Sequence, residues 1–227
     1  FPKIQVHDNV VLSDGGNIAW AVRHDSPQLL ALLNNFVKKN RQGTTLGNTI
    51  LLRYLKDASY VKNAAGQKER RKFLAMVEVF RKYGDRYDVD WLLMAAQGYQ
   101  ESRLNQSVRS HVGAVGVMQV MPRTGKELKV GDIKQLDPNI HAGVKYMRWM
   151  IDRYYADEPM TRLDKALFAF ASYNAGPARI ARLRTMTKQR GFDPNVWFGN
   201  VENMAAEKIG AETVTYVSNI YKYYIAY

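Results

Sequence analysis

The sequence contains no cysteine. This absence excludes disulfide bonds, thiolate metal sites, iron–sulfur clusters and cysteine nucleophiles. Histidine is also scarce, and its four positions never form the HxH or HExxH spacing of a histidine metal site: they are His7, His24, His111 and His141. We therefore expect neither a metal ion nor a cofactor.

Long hydrophobic runs are missing as well. The longest apolar stretches, residues 91–96 and 166–171, are far shorter than the roughly 18 residues that cross a bilayer. Only 7 prolines and 16 glycines occur, while 46% of the residues are hydrophobic and 24% are charged. This composition is typical of a packed globular protein and excludes disordered and fibrous classes.

The chain carries an excess of positive charge, with 33 Lys and Arg against 21 Asp and Glu and a net charge of +12. A basic surface favours polyanionic partners such as nucleic acid, anionic lipid or an acidic polymer, but its sign alone does not choose among them. The 227 residues amount to more than one nominal domain of about 150, which allows one large domain or one domain with an appendage.

The first 40 residues differ from the rest. Alternating apolar residues at 18–22 predict a half-buried strand, after shorter extended segments at 4–6 and 10–12. Ser26 followed by Pro27 is a good helix start, and leucines follow at helical spacing. These patterns predict a small β-then-α fragment.

A polar, glycine-containing stretch at 38–47 indicates a boundary or linker. Beyond it, the periodicity of apolar residues and the cap residues predict helices at 73–83, 91–102, from 137 onward, 163–173 and 212–227. No internal repeat and no hairpin signature stands out. This part of the chain is therefore predicted to be an all-α domain.

Glu101 is a charged residue in an otherwise apolar helix that Asp90 caps. It shares one face with Met94 and Gly98, and the apolar circumference of the helix predicts a central position in the core. A poorly solvated carboxyl has a raised pKa, which suits general acid catalysis near neutral pH. The alternative is an ordinary helix-end glutamate, in solvent or paired with Arg103.

Two further stretches carry polar side chains in apolar surroundings. Residues 110–122 contain Gly116, which permits close backbone approach to a ligand, and the lone amide of Gln119. The alternative for this stretch is a glycine-containing turn that enters a buried helix. Residues 172–176 (SYNAG) precede Pro177. The alternative to a functional role for this stretch is a helix C-cap, in which Asn174 or Gly176 supplies the left-handed residue.

Together these stretches resemble the ordered motif set of the lytic murein transglycosylases with a goose-lysozyme-like catalytic domain. The matching motifs, spread over residues 73–227, are Glu101-Ser102, Ser110, GVMQ (116–119) with MP after it, SYNAGP (172–177) and ETVTYV (212–217). The departures are Val117, where leucine is usual, and Ser172, where alanine is usual.

The resemblance implies cleavage of the β-1,4 bond between N-acetylmuramic acid and N-acetylglucosamine of peptidoglycan without water as nucleophile. Glu101 would protonate the glycosidic oxygen and then accept the proton of the muramoyl 6-hydroxyl, which leaves a 1,6-anhydromuramoyl product. No second acid is needed. The implied substrate-binding residues are Ser110, Met118, Gln119, Tyr173, Asn174, Glu212 and Tyr216, and the supporting residues are Ser102 and Gly116.

Residues 18–37 are similar to the closing strand and helix of periplasmic solute-binding modules, and such a module precedes the catalytic domain in the F subfamily of membrane-bound lytic transglycosylases. The expected fold class is therefore mainly α: a lysozyme-like α-helical catalytic domain at 70–227, preceded by a short α/β remnant of a solute-binding module at 1–39 and by a linker with a leading helix at 40–69.

The implied partners are peptidoglycan glycan strands and muropeptides, with no nucleic acid, and a small regulatory ligand is expected on the missing part of the N-terminal module. The implied location is the periplasm and cell envelope, with the full-length protein attached to the outer membrane.

The stem peptides of peptidoglycan carry free carboxylates that would suit the basic surface. One basic stretch, expected either to border the glycan groove or to be a solvated helix face, comprises Arg179, Arg182, Arg184, Lys188 and Arg190.

Two other functions stay open at the level of sequence. A goose-type lysozyme would hydrolyse the same bond and would need a carboxylate to position water, for which Asp132 and Asp137 are the acids soon after GVMQ. A noncatalytic glycan-binding or nucleic-acid-binding module would use the basic surface alone, although no nucleic-acid-binding motif is present.

Overall fold

The structure, a computed structural model, describes residues 20–41, 43–44 and 66–227. Residues 20–41 and 43–44 belong to one compact unit, and residues 66–227 belong to a second. Within these residues, no helix has both the length and the apolar character that a bilayer span requires.

The described part of the N-terminal unit is helical. Helix α1, Pro27–Asn40, begins at proline as the sequence predicts, although the Ser26 side chain makes no capping hydrogen bond. The ring of Trp20 stacks on that of Phe36 at a centroid distance of 6.1 Å.

The strand predicted at 18–22 is not present at residues 20–22, where the described residues offer no neighbouring strand to pair with. Residues 18 and 19 and the extended segments expected at 4–6 and 10–12 lie outside the described residues, as does most of the expected linker. The division into 1–39, 40–69 and 70–227 therefore stays a prediction.

Residues 66–227 form a helical domain in which only isolated β-bridges occur, which confirms the mainly-α prediction for this range. The helices are α2 Gln67–Tyr87, α3 Trp91–Ser102, α4 Pro122–Leu128, α5 Leu136–Tyr155, α6 Arg162–Ala175, α7 Pro177–Gln189, α8 Glu202–Ile209 and α9 Ala211–Ala226, and an irregular turn at Trp197–Val201 precedes α8.

Helix α3 is the centre of this domain. It packs against α2 on one side and against α9 on another, while α6 packs against α5, α7 and α9. Every residue of α3 from Leu93 to Tyr99 is buried, as its nearly continuous apolar sequence predicts. The core therefore surrounds the helix that carries Glu101.

The ends of α3 are set by local chemistry. Oδ1 of Asp90 accepts the backbone N–H groups of Leu92 and Leu93 at 2.9 and 3.2 Å, which is the N-cap that the sequence predicts. The helix ends where Arg103 and Leu104 take left-handed φ values of 56° and 53°. Glu101 consequently lies in the last turn of α3, at the edge of the core.

The chain also turns sharply between α6 and α7. Gly176 takes a φ of 89° and ends α6, and Pro177 begins α7, which confirms the predicted helix C-cap with glycine as the positive-φ residue. This turn fixes Tyr173 and Asn174 in the last turn of α6.

Candidate active site

A chain of two hydrogen bonds ends on Glu101. The hydroxyl of Tyr216, on α9, donates to Oε1 of Glu101, and Nε2 of Gln97 donates to the Tyr216 oxygen at 3.1 Å. Gln97 is 0% exposed, and its Oε1 has no hydrogen-bond partner among the described residues. Because Gln97 already supplies a hydrogen to the Tyr216 oxygen, the Tyr216 hydrogen points to Glu101.

The environment of Glu101 sets its acidity. Burial raises the pKa of this carboxyl to about 7, and the hydrogen bond from Tyr216 opposes that rise because it stabilises the charged form. Burial, followed by the charge of Glu101, raises the pKa of both Tyr173 and Tyr216 well above the usual range, so both phenols stay protonated. Glu101 can therefore donate or accept a proton near neutral pH.

Tyr173 holds the neighbouring loop against α6. Its hydroxyl donates to the backbone oxygen of Met118 at 2.9 Å, and the preceding residue of that loop, Val117, accepts the hydroxyl of Ser102 at the end of α3. Met118 is fully buried, so its side chain fills the core and its backbone forms the contact.

The loop at 113–121 is a tight turn that contains an isolated β-bridge, and helix α4 follows it. Gly116 has a φ of 78°, and a Cβ atom there would lie 2.6 Å from side-chain atoms of Gln106 and Asn139. Gln119 also has a positive φ, 46°, and its Nε2 donates to the Gly116 carbonyl at 2.8 Å. The space that a side chain would need at Gly116 is filled by protein side chains, and the predicted approach of a ligand to this glycine stays a prediction.

Two amides that the sequence prediction missed support this loop. Asn139 is fully buried, accepts the N–H of Met118 at 2.9 Å, and donates to the carbonyls of Val115 and Ile133 at 2.8 and 2.9 Å. Oε1 of Gln106 accepts from a further N–H of the loop at 3.1 Å. The available signal was an asparagine on the apolar face of α5, because a buried amide there needs partners.

Ser102 connects the end of α3 to the same loop. Its Oγ accepts the N–H of Asn105 and donates to the carbonyl of Val117, both at 3.0 Å. Ser110 has a local role in the structure, where its Oγ accepts the N–H of Ala114 at 2.9 Å.

Asn174 joins α6 to α9, because its Oδ1 accepts the hydroxyl of Thr213 at 2.7 Å. Glu212 is exposed in the first turn of α9, whereas Tyr216, one turn later, is only 7% exposed. The structure thus brings Glu101, Tyr173 and Tyr216 together with the Met118 carbonyl. The substrate-binding roles of all the predicted residues stay predictions.

The other acids considered from the sequence are engaged elsewhere. Asp137 pairs with Lys82 at 3.0 Å and accepts the Tyr83 hydroxyl at 2.5 Å, and these contacts hold its pKa below the usual range. Asp132 accepts the backbone N–H of Lys134. Across the described ranges, no group of three His, Cys, Asp or Glu residues could hold a metal ion.

The basic stretch after SYNAGP divides into two kinds of side chain. Arg184 makes two hydrogen bonds to Glu158, at 2.8 and 2.6 Å, and Arg190 pairs with Glu207. These two guanidinium groups are therefore occupied by internal ion pairs. The remaining basic side chains of the stretch are exposed, and they are Arg179, Arg182 and Lys188.

Comparison with known proteins places this site in a family context. Residues 78–196 match the family model described as transglycosylase SLT domain. The chain is 32% identical to the membrane-bound lytic murein transglycosylase F of Desulfosudis oleivorans, over 91% of this chain and 49% of the relative. It is 29% identical to the protein of the same name from Pseudomonas putida, over 99% of this chain and 49% of the relative.

The chain thus spans about half the length of the curated relatives it matches. Among solved structures, the 70 kDa soluble lytic transglycosylase of Escherichia coli aligns with a TM-score of 0.49 and 25% identity, over 66% of this chain and 23% of that one.

Proposed function

The chain belongs to the transglycosylase SLT domain family, and from this premise we propose that residues 66–227 cleave the β-1,4 bond between N-acetylmuramic acid and N-acetylglucosamine in peptidoglycan, with formation of a 1,6-anhydromuramoyl end. The observation that carries the proposal is a single carboxyl, Glu101, whose pKa lies near 7 and which a buried phenol contacts.

In the first step Glu101 is the general acid. Its protonated form donates to the glycosidic oxygen as the bond to the anomeric carbon breaks, and the departing sugar leaves as an alcohol. The pKa near 7 supports this role because a substantial fraction of the carboxyl is protonated at neutral pH. The carboxylate that remains is stabilised by the hydrogen bond from Tyr216.

In the second step the same carboxylate is the general base. It accepts the proton of the muramoyl 6-hydroxyl while that oxygen bonds to the anomeric carbon, so the proton balance closes within one residue. The attack is intramolecular, so the protein gains by holding one sugar in a reactive shape. The hydrogen bond from the Tyr173 hydroxyl to the Met118 carbonyl, at 2.9 Å, supports this role because it ties α6 to the loop at 113–121.

A hydrolytic lysozyme mechanism is less well supported. A retaining or inverting glycosidase uses a second carboxylate within roughly 5 to 9.5 Å of the acid. Of the two acids considered for this role, Asp137 is committed to Lys82 and Tyr83, and Asp132 accepts the backbone N–H of Lys134. A noncatalytic binding module would give no reason for a carboxyl of raised pKa at the edge of the core.

The relatives are named membrane-bound lytic murein transglycosylases, which supports peptidoglycan glycan strands and muropeptides as partners and the cell envelope as the location of this chain. The periplasm, attachment to the outer membrane and a small regulatory ligand at the N-terminal module are parts of the same proposal. They rest on the resemblance of residues 18–37 to solute-binding modules.

The proposal is tested with Glu101→Gln, which keeps the shape of the side chain and removes its proton transfer. Turnover of purified sacculi is expected to fall by about 100-fold or more, since general acid–base catalysis contributes roughly 10²- to 10⁴-fold. Sacculus binding is expected to persist. Glu78→Gln, at an exposed glutamate on α2, is the matched control. Undiminished turnover of the folded Glu101→Gln variant would contradict the proposal.

A further inference from the structure

A row of aromatic rings leads to the surface from Tyr173, whose hydroxyl bonds to the loop that Ser102 joins to the end of α3. Tyr173 contacts Tyr146 edge to face at a centroid distance of 5.6 Å, and Tyr146 stacks on Trp149 at 5.4 Å with an interplanar angle of 14°. Trp149 then contacts Tyr154 edge to face at 5.9 Å. We call these four residues the aromatic row.

The two inner rings of the row are less exposed than the two outer rings. Tyr173 and Tyr146 are partly buried, whereas Trp149 is 46% exposed and Tyr154 is 39% exposed. Each of the two outer rings could bury roughly 150 Å² or more of surface against a ligand. The outer half of the row is therefore a candidate binding surface, and ring contacts connect it to Tyr173.

Helix α5 gives the row a fixed geometry. Tyr146, Trp149 and Tyr154 all belong to Leu136–Tyr155, and the first two are three residues apart, which puts them on the same helix face. Tyr and Trp lose little conformational entropy on binding because each has only two side-chain torsions. A rigid row of amphipathic rings suits a ligand that has flat apolar faces and polar edges.

We propose that the aromatic row binds the glycan strand of peptidoglycan where it extends away from the cleaved bond, with N-acetylated sugar rings stacked on Trp149 and Tyr154. The inference rests on the proposed function, because the inner end of the row bonds to the loop that Ser102 joins to the end of α3, and the substrate proposed for Glu101 on that helix is a sugar polymer. A row that is one ring wide fits a linear polymer, whereas a protein interface of standard size would cover about 800 Å² on each partner.

Trp149→Ala is the principal variant, and Trp149→Phe keeps an aromatic ring at the same position. Tyr154→Ala tests the outer end of the row without disturbing the stack on Tyr146. The matched control is Phe192→Ala, because Phe192 is 51% exposed and is not part of the row.

The first measurement compares kcat/KM on long glycan strands with kcat/KM on a tetrasaccharide. Trp149→Ala and Tyr154→Ala are expected to lower the value for long strands roughly 3- to 10-fold and to lower the tetrasaccharide value less, since a short ligand covers fewer of the rings. Trp149→Phe is expected to retain most of the value. An equal loss on both substrates, or no loss on either, would overturn the proposal.

The second measurement does not depend on turnover. Affinity for purified glycan strands is measured in the Glu101→Gln background, with and without Trp149→Ala. A roughly 3- to 10-fold weaker affinity with Trp149→Ala, together with an unchanged affinity with Phe192→Ala, supports glycan binding by the aromatic row even if the chain proves to have no transglycosylase activity. Equal affinities with and without Trp149 would refute it even if the proposed activity is established.

Discussion

Tyr216 donates a hydrogen bond to Oε1 of Glu101 across a sequence separation of 115 residues. This contact is made between α9 and the last turn of α3, two helices that pack directly on each other. It joins the motif at 212–217 to the glutamate and opposes the effect of burial on the acidity of that glutamate.

Tyr216→Phe is expected to raise the pKa of Glu101 above its present value of about 7, because the variant removes the hydrogen bond that stabilises the carboxylate. The high-pH limb of the kcat/KM profile, where Glu101 loses its proton, should therefore move to higher pH, and kcat should fall about tenfold. The control is Tyr224→Phe, whose hydroxyl donates to Asp90 at the other end of α3. A limb that stays in place in the Tyr216 variant would contradict this assignment.

Gln97→Leu is expected to move the same limb in the same direction by a smaller amount. Gln97 donates to the Tyr216 oxygen, which directs the phenol hydrogen to Glu101 and makes the phenol a stronger donor. The decisive comparison is a double-mutant cycle: in the Tyr216→Phe background, Gln97→Leu should add no further shift. Fully additive shifts would mean that Gln97 acts on Glu101 by another route.

Glu101→Gln is expected to stabilise the protein at alkaline pH. The pKa of Glu101 is about 7 in the fold against a reference of 4.5, so the folded protein holds this proton more tightly than the unfolded chain does. The stability that results is complete below pH 4.5 and is lost as the pH rises through 7. At pH 8 the free energy of unfolding of the variant should exceed that of the wild type by up to about 3 kcal/mol. Urea denaturation at pH 4.5 and pH 8 measures the difference, which should be near zero at the lower pH. A constant difference would contradict the raised pKa.

Gly116→Ala is expected to lower the free energy of unfolding by about 2–4 kcal/mol, because it combines a positive φ with a Cβ atom 2.6 Å from Asn139 and Gln106. Gly113→Ala is the control in the same loop: its φ is 89°, but nothing lies within 4 Å of the new atom. The control should cost only about 1 kcal/mol. Thermal unfolding of both variants checks the ranking, and equal losses would show that crowding at Gly116 is unimportant.

The elements that the sequence predicted well depend on local signals. The cap at Asp90, the helix that runs to Ser102 and the glycine stop at Gly176 follow from residues that lie next to each other in the chain, and the structure has all three. Residues 20–22, the described part of the strand predicted at 18–22, are not in a strand, because alternation alone does not fix strand pairing; residues 18 and 19 lie outside the described residues.

The contacts that define the site are nonlocal, and sequence patterns could not give them. The motif at 212–217 did not reveal that the Glu212 side chain is exposed while that of Tyr216 reaches Glu101. The roles of Gln97 and Asn139 depend on hydrogen-bond partners that lie 119 and 21–24 residues away in the sequence. Basic charge at Arg184 gave no indication of its bidentate pairing with Glu158.

The central claim is that one carboxyl, Glu101, cleaves the glycan by intramolecular transfer and not by hydrolysis. The most direct test is mass spectrometry of the soluble products after purified sacculi are digested with the chain, with Glu101→Gln as the inactive control. With the wild type, the account predicts products with 1,6-anhydromuramoyl ends, which are lighter than reducing ends by one water molecule. With the variant, it predicts no such products. Reducing-end products alone would contradict it.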